Sequence, residues 1–205
     1  MAADTTDNQR PGRRYHHGDL PAALIRTSFE LLAEHGLAAF SVAQVARRLD
    51  ISTAAPYRHF SDRSHLLAAV ATTAARELAD AIRTAAAGAG ADPVDRFAAA
   101  AAAYVRFAVS RGAGFNVIYA AGLQELHDQA LADAGRQLMD LLIALAEDTG
   151  ERPKRDRLRL VENLIVLAHG YATLYHDGFF ARGRYSLDDI AARASQASRE
   201  LATPR

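Results

Sequence analysis

Apolar positions first fall into a helical rhythm at Leu20, Leu24, Ile25, Phe29 and Leu32, with Ser28 on the same stripe. Asp19 stands at an N-cap position and Gly36 where a left-handed residue can end a helix, so the spacing predicts a first helix over 20–36. Ser41 followed by Gln44 reads as a capping box, with Phe40 and Val45 placed as a hydrophobic staple around it. A short helix over 42–49 follows. Asp50 and Ile51 then separate it from Ser52, a second N-cap candidate, which opens another helix of about two turns ending near Phe60. Pro56 falls near the fourth position of that helix, where the missing amide donor is expected to cost little.

Beyond this pair, Ser61 or Asp62 starts a longer helix carried by Leu66, Leu67, Val70, Leu78 and Ile82 toward Gly88 and Gly90. Asp92, Pro93 and Asp95 start the next, which runs to about Arg111 and breaks at Gly112 and Gly114. A short segment over 115–121 precedes helices over about 123–148 and 153–178. Ser186 with Asp189 forms a last capping box, and the final helix closes the chain. No stretch carries a strand pattern and no internal repeat is visible. The reading is an all-α protein of about nine helices, divided into an N-terminal arm over 1–17, a three-helix unit over 18–65 and a larger helical bundle over 66–205.

Composition agrees with that reading. About a fifth of the 205 residues are Ala, and half are hydrophobic, enough to bury a core. With no Cys there is neither a disulfide framework nor a Cys-based zinc site. The first dozen residues are polar and no run of 18 apolar residues occurs, so neither a secretory signal nor a membrane span is expected, and a cytoplasmic location is. Acidic and basic residues balance over the whole chain, but residues 10–65 hold eight Arg against five acids. That asymmetry is small and gives only weak support to a nucleic-acid partner.

The informative stretch is 41–60. Two short helices joined by a tight turn cross only if small and apolar residues meet, and Ala46, Leu49, Ile51, Pro56 and Phe60 are placed for that contact. The opposite face presents Ser52, Thr53, Ala54, Tyr57 and His59, with Arg63 following on the same side. Small residues let a helix approach base edges, while hydroxyl and imidazole groups reach phosphate oxygens. By residue type alone the same stretch also describes a capped surface helix over an ordinary core.

The order of residues adds more. Leu31 to Gly36, Ser41 to Ala46, Ile51-Ser52, Pro56 to Phe60, and Arg63 with Leu66-Leu67 resemble the DNA-binding region of TetR/AcrR-type helix-turn-helix transcriptional regulators. The resemblance implies that Thr53 and Ala54 face bases, that Tyr57 and His59 hold phosphates, and that Ser41 anchors the preceding helix to the backbone. Arg63 stands where the family usually has a phosphate-binding Lys. Asp50 takes a turn position where Gly is common, and Pro56 replaces the more usual Leu or Ile. Arg13 and Arg14 could reach a flanking minor groove or simply keep the arm soluble.

For the remaining two thirds, the resemblance implies a homodimer formed through the last two helices on a palindromic double-stranded DNA operator, released by a small-molecule effector, so that the protein acts as a repressor. Tyr104, Phe107, Phe115, Tyr119, Met139, His169, Thr173 and His176 could line a site for a small, mostly hydrophobic effector, apolar walls with a few polar tips. Ala168-His169-Gly170 resembles the Trp-His-Gly signature of one subclass, without the Trp. His169 reads either as a residue held by a hydrogen bond across the bundle or as a ligand contact.

The rival readings are an enzyme or a helical small-molecule carrier that never touches DNA. His169 and His176 lie seven residues apart, roughly 10 Å along a helix, too far to share a metal. No phosphate loop, nucleophile elbow or dinucleotide fingerprint occurs. No catalytic residues, metal or cofactor are therefore expected.

Overall fold

The computed structural model describes residues 19–120, 123 and 125–203, without the side chains of 113, 114, 116, 119 and 182. The expected arm over 1–17, with Arg13 and Arg14, and the Tyr119 side chain lie outside the described residues. Every regular element among those described is helical. Seven α-helices, α1 (Leu20–Ala39), α2 (Val42–Arg48), α3 (Arg63–Gly88), α4 (Pro93–Arg111), α5 (Gln129–Asp148), α6 (Lys154–His176) and α7 (Leu187–Ala202), are joined by three 3-10 segments, Pro56–Arg58, Gly112–Tyr119 and Ala181–Gly183. Among the described residues there are seven α-helices against the roughly nine expected, because the stretches within 52–60 and 112–119 wind as 3-10 turns.

The caps explain most boundaries. The Ser41 and Ser186 capping boxes are formed, and the side chains of Asp62, Asp92 and Asp128 accept amide hydrogens at the starts of α3, α4 and α5. Asp19 occupies the N-cap of α1 without a side-chain bond to it. Gly36, at φ +72° and ψ 172°, leaves the helical conformation where the first helix was expected to end, and a further short helical stretch carries α1 on to Ala39. The helix expected from 123 begins instead at Gln129: His127 has φ +51°, which no α-helix accommodates, and Asp128 supplies the cap.

Two clusters of buried side chains form the core. One gathers Leu24, Phe29, Leu31, Leu32, Phe40, Val42 and Val45 with Leu66 to Ala74 of α3, and takes in Val117 from the second 3-10 segment. The other centres on α4, whose Phe97, Ala100, Ala101, Tyr104 and Val105 pack among α3, α5, α6 and α7. The run of Ala in α4 leaves little side-chain bulk on the faces that meet its neighbours, which lets four helices close around it. α3 is common to both clusters, and the 3-10 segment over 112–119 bridges them by packing on α1 and α3.

Candidate nucleic-acid interface and ligand cavity

The turn after α2 is a Schellman closure. Asp50 takes the left-handed position at φ +54°, its amide donates to the Arg47 carbonyl at 3.2 Å, and the Ile51 amide reaches back to Ala46 at 3.1 Å. A short Asp tolerates this conformation better than most residues, which is how the position usually held by Gly is filled. Ile51 then packs beside Val45 in the first core cluster, fixing the direction in which the chain leaves α2.

From Ser52 the expected two-turn α-helix does not form. The amides of Ala55, Arg58 and His59 each bond three residues back, to Ser52, Ala55 and Pro56 at 3.0, 3.2 and 3.0 Å. Pro56 is the cause. It has no N–H to close the four-residue bond onto the Ser52 carbonyl, which the Ala55 amide takes instead, so the missing donor changes the winding and is not a small cost. The expected facing nevertheless holds. Pro56 is buried and Phe60 half-buried against the core, while Ser52, Thr53, Ala54, Tyr57 and His59 are exposed, with Tyr57 at 53%. Arg58, given no role from its sequence position, stands exposed between the last two. An exposed cation inside the reading stretch was the signal for it.

Two other positions are more committed than the sequence suggests. The Ser41 hydroxyl accepts from the Gln44 amide at 3.3 Å and lies 3.0 Å from Gln44 Oε1, so it works inside its capping box. Arg63 turns back toward α1: its Nε donates to the Phe40 carbonyl at 3.1 Å, an Nη to the Leu37 carbonyl at 2.7 Å, and its guanidinium sits 5.6 Å from the Phe40 ring centre. It thereby ties the end of α1, the start of α2 and the start of α3 together. Arg48 is likewise engaged, donating to both oxygens of Glu34 at 3.1 and 2.7 Å, and this pairing holds the Glu34 carboxyl below its ordinary range.

Four of the expected ligand residues meet in one cavity of about 130 Å³: Phe115, His169, Thr173 and His176 line it together with Ala108, Val109, Gly112, Ala172 and Asp177. The additional wall residues are mostly small, and it is their missing bulk that opens the space. Tyr104 lies behind, fully buried, with its hydroxyl 3.3 Å from His169 Nδ1 and its ring edge-on to Phe115 at 5.4 Å. His169 is thus paired across the bundle, the first of its two readings, and it also lines the cavity. Phe107 packs on Phe115 at 5.7 Å without lining the space. Met139 belongs elsewhere, on an open cleft of about 600 Å³ with Ile118, Leu123 and Leu131. Among the described residues no cluster of three potential metal ligands occurs.

This arrangement of an exposed turn and a separate cavity meets two family models. One, for bacterial regulatory proteins of the tetR family, matches residues 24–70, and the other, for a tetracyclin repressor-like C-terminal domain, matches residues 97–197. The chain belongs to the TetR family. Its members are transcriptional regulators that bind DNA, and the resemblance read over about 18–67 is met there and extends to the rest of the chain. Among solved structures, a protein of unknown function from Rhodococcus sp. RHA1 superposes with TM-score 0.76 at 29% identity, covering 92% of this chain and 98% of its own. A tetR-family regulatory protein from Rhodococcus RHA1 gives TM-score 0.64 at 22% identity, over 89% and 96% of the two chains. A TetR-family transcription regulator from Marinobacter aquaeolei VT8 gives 0.66 at 16%, over 88% and 94%; both show the same fold. No curated protein matches the sequence. No described helix is long and apolar enough to cross a membrane.

In this TetR-family chain a short physical route joins the cavity and the N-terminal helices. Gly112, on the cavity wall, approaches Ala33 of α1 so closely that a Cβ there would lie 3.9 Å from it. Beside it, the Arg111 guanidinium pairs with Glu77 of α3 and lies 4.9 Å from the Phe29 ring centre and 5.5 Å from that of Phe107. Phe29 belongs to α1 and Phe107 packs on the cavity residue Phe115, so one side chain touches both core clusters.

Proposed function

We propose that the chain is a ligand-responsive repressor that binds a palindromic operator as a homodimer and leaves it when a small effector occupies the C-terminal bundle. The observation that carries this reading is the exposed face of Ser52, Thr53, Ala54, Tyr57 and His59, held by the buried Pro56 and the Asp50 turn. Thr53 and Ala54 approach base edges; Tyr57, His59 and the anchoring Ser41 contact phosphate. Arg58 supplies charge, whereas Arg63 braces the reading stretch from behind through the Leu37 and Phe40 carbonyls. Such a protein works in the cytoplasm and needs no catalytic group.

The dimer is supported by α6 and α7. Val166, Leu174 and Leu201 are large apolar residues left exposed, and with Leu167, Gly170 and Tyr171 they line one open apolar groove. A twofold copy on this face would set two reading stretches side by side, as half-sites about one DNA turn apart (~34 Å) require. Release then follows from geometry, because an effector that changes the separation of the two stretches prevents both from docking at once, and operator and effector oppose each other reciprocally.

Titration of a labelled duplex at several salt concentrations tests the interface. Replacing Tyr57 and His59 together by Ala is expected to weaken binding to every duplex, whereas Thr53→Val is expected to change which sequence is preferred. Unchanged binding by the double variant would mean that this face does not meet DNA.

A further inference from the structure

We infer that the cavity beside His169 takes a small organic cation, a single ring or short branched chain bearing an ammonium group. The inference rests on the reading of this cavity as the effector site and adds the chemistry of its ligand. Size comes first. A space of about 130 Å³ is close to the ~150 Å³ that accommodates benzene in a protein core, so one ring or its equivalent fills it.

Charge decides the class. Among the lining residues Asp177 is the one with a formal charge at neutral pH when His is neutral, and neither Lys nor Arg is present. Two helices also end at this site. Ala108 and Val109 lie in the last turn of α4 with Gly112 as its C-cap; Thr173 and His176 lie in the last turn of α6 with Asp177 as its C-cap. The aligned peptide dipoles of both helices end negative here, so two helix C-termini and a carboxylate bear on one small volume. The nearest cation along the chain, Arg111, is turned onto Glu77 and the rings of Phe29 and Phe107. An anionic ligand would meet repulsion from three sources with no compensating cation in the lining.

The walls suit the rest of such a molecule. Phe115, Ala108, Val109 and Ala172 offer apolar surface. The Thr173 hydroxyl and the His176 imidazole offer hydrogen-bond acceptors for ammonium hydrogens.

Calorimetric titration of the full-length protein with benzylamine, benzyl alcohol and benzoate at neutral pH tests the assignment, since the three share a ring and differ in charge. Benzylamine is expected to bind about tenfold more tightly than the alcohol, with benzoate weakest. Asp177→Asn is expected to bring the amine close to the alcohol while leaving the alcohol unchanged, and Ala172→Leu, which fills the space, to abolish both. Benzoate binding as tightly as benzylamine, or an amine preference untouched by Asp177→Asn, would overturn the cation assignment while keeping the cavity as a ligand site. Silence from all three probes would remove the cavity reading itself, and the inference with it.

Discussion

Arg63 distinguishes a residue that touches DNA from one that holds the reading stretch in place. Its two bonds to the carbonyls that end α1, at 3.1 and 2.7 Å, are charge-assisted, and one is partly buried. Charge-assisted hydrogen bonds contribute about 1.5–3 kcal/mol when sheltered, and discounting for solvent leaves about 1–2 kcal/mol for the pair. For a chain of this length, roughly 2–4 °C of melting temperature accompanies each kcal/mol, so Arg63→Met is expected to lower Tm by about 2–8 °C. Arg63→Lys is expected to fall between, because a compact ammonium cannot fork across two carbonyls as a guanidinium does. The paired assay is the salt dependence of binding to an arbitrary duplex. Loss of one phosphate contact per protomer would reduce the log–log slope by about 1.8 for a dimer, whereas a brace leaves the slope nearly unchanged. A shallower slope with an unaltered melting curve would refute the brace and make Arg63 a phosphate ligand.

Three further outcomes follow from the same geometry. Pro56→Leu restores the amide that the Ser52 carbonyl lacks, so carbon chemical shifts over 52–60 are expected to move toward α-helical values; unchanged shifts would mean that Pro56 does not set the winding. Arg111→Met removes the pairing with Glu77 and the ring contacts with Phe29 and Phe107, and a thermal melt is expected to show a loss of about 1–2 kcal/mol, with no loss if those contacts are idle. The Asp62 carboxyl is held below its ordinary 3.8, first by the His65 side chain and then by the His65 amide. Its stabilising contribution is therefore present above about pH 3.8 and disappears as pH falls through the depressed value; Asp62→Asn is expected to flatten that acid limb in a pH series of melts.

Most of the fold was legible because its punctuation is local. A capping box, an Asp before Pro93 or a Ser186-Asp189 pair acts within four residues, and each produced the boundary it suggests. Where punctuation competed with periodicity, the apolar run misled. Leu123 continues the stripe of α5, but the left-handed His127 and the Asp128 cap begin the helix later. The reading face was legible as a set of exposed residues but not as a 3-10 turn, since that depends on which amide reaches the Ser52 carbonyl once Pro56 is there.

The ligand residues show the opposite limit. His169, Thr173 and His176 share one face of α6 at i, i+4, i+7 spacing, but no spacing within one helix predicts that the end of α4 and Phe115 meet them there. Met139 carries the same residue-type signal and faces a different cleft. The cavity is also made by absence, at Ala108, Gly112 and Ala172, which a search for aromatic and polar tips overlooks. Arg63 illustrates a related point: position along the chain marks it as a phosphate partner, but only the packed structure reveals what its donors already hold.

Selection of bound duplexes from a random pool addresses the exposed Ser52–His59 face most directly. The wild-type protein is expected to enrich an inverted repeat whose half-site centres lie about one helical turn apart, ~34 Å, and the Tyr57→Ala, His59→Ala double variant to recover far less bound DNA at the same protein concentration. Failure of the wild-type protein to enrich any sequence, or undiminished recovery of bound DNA by the double variant, would contradict the account.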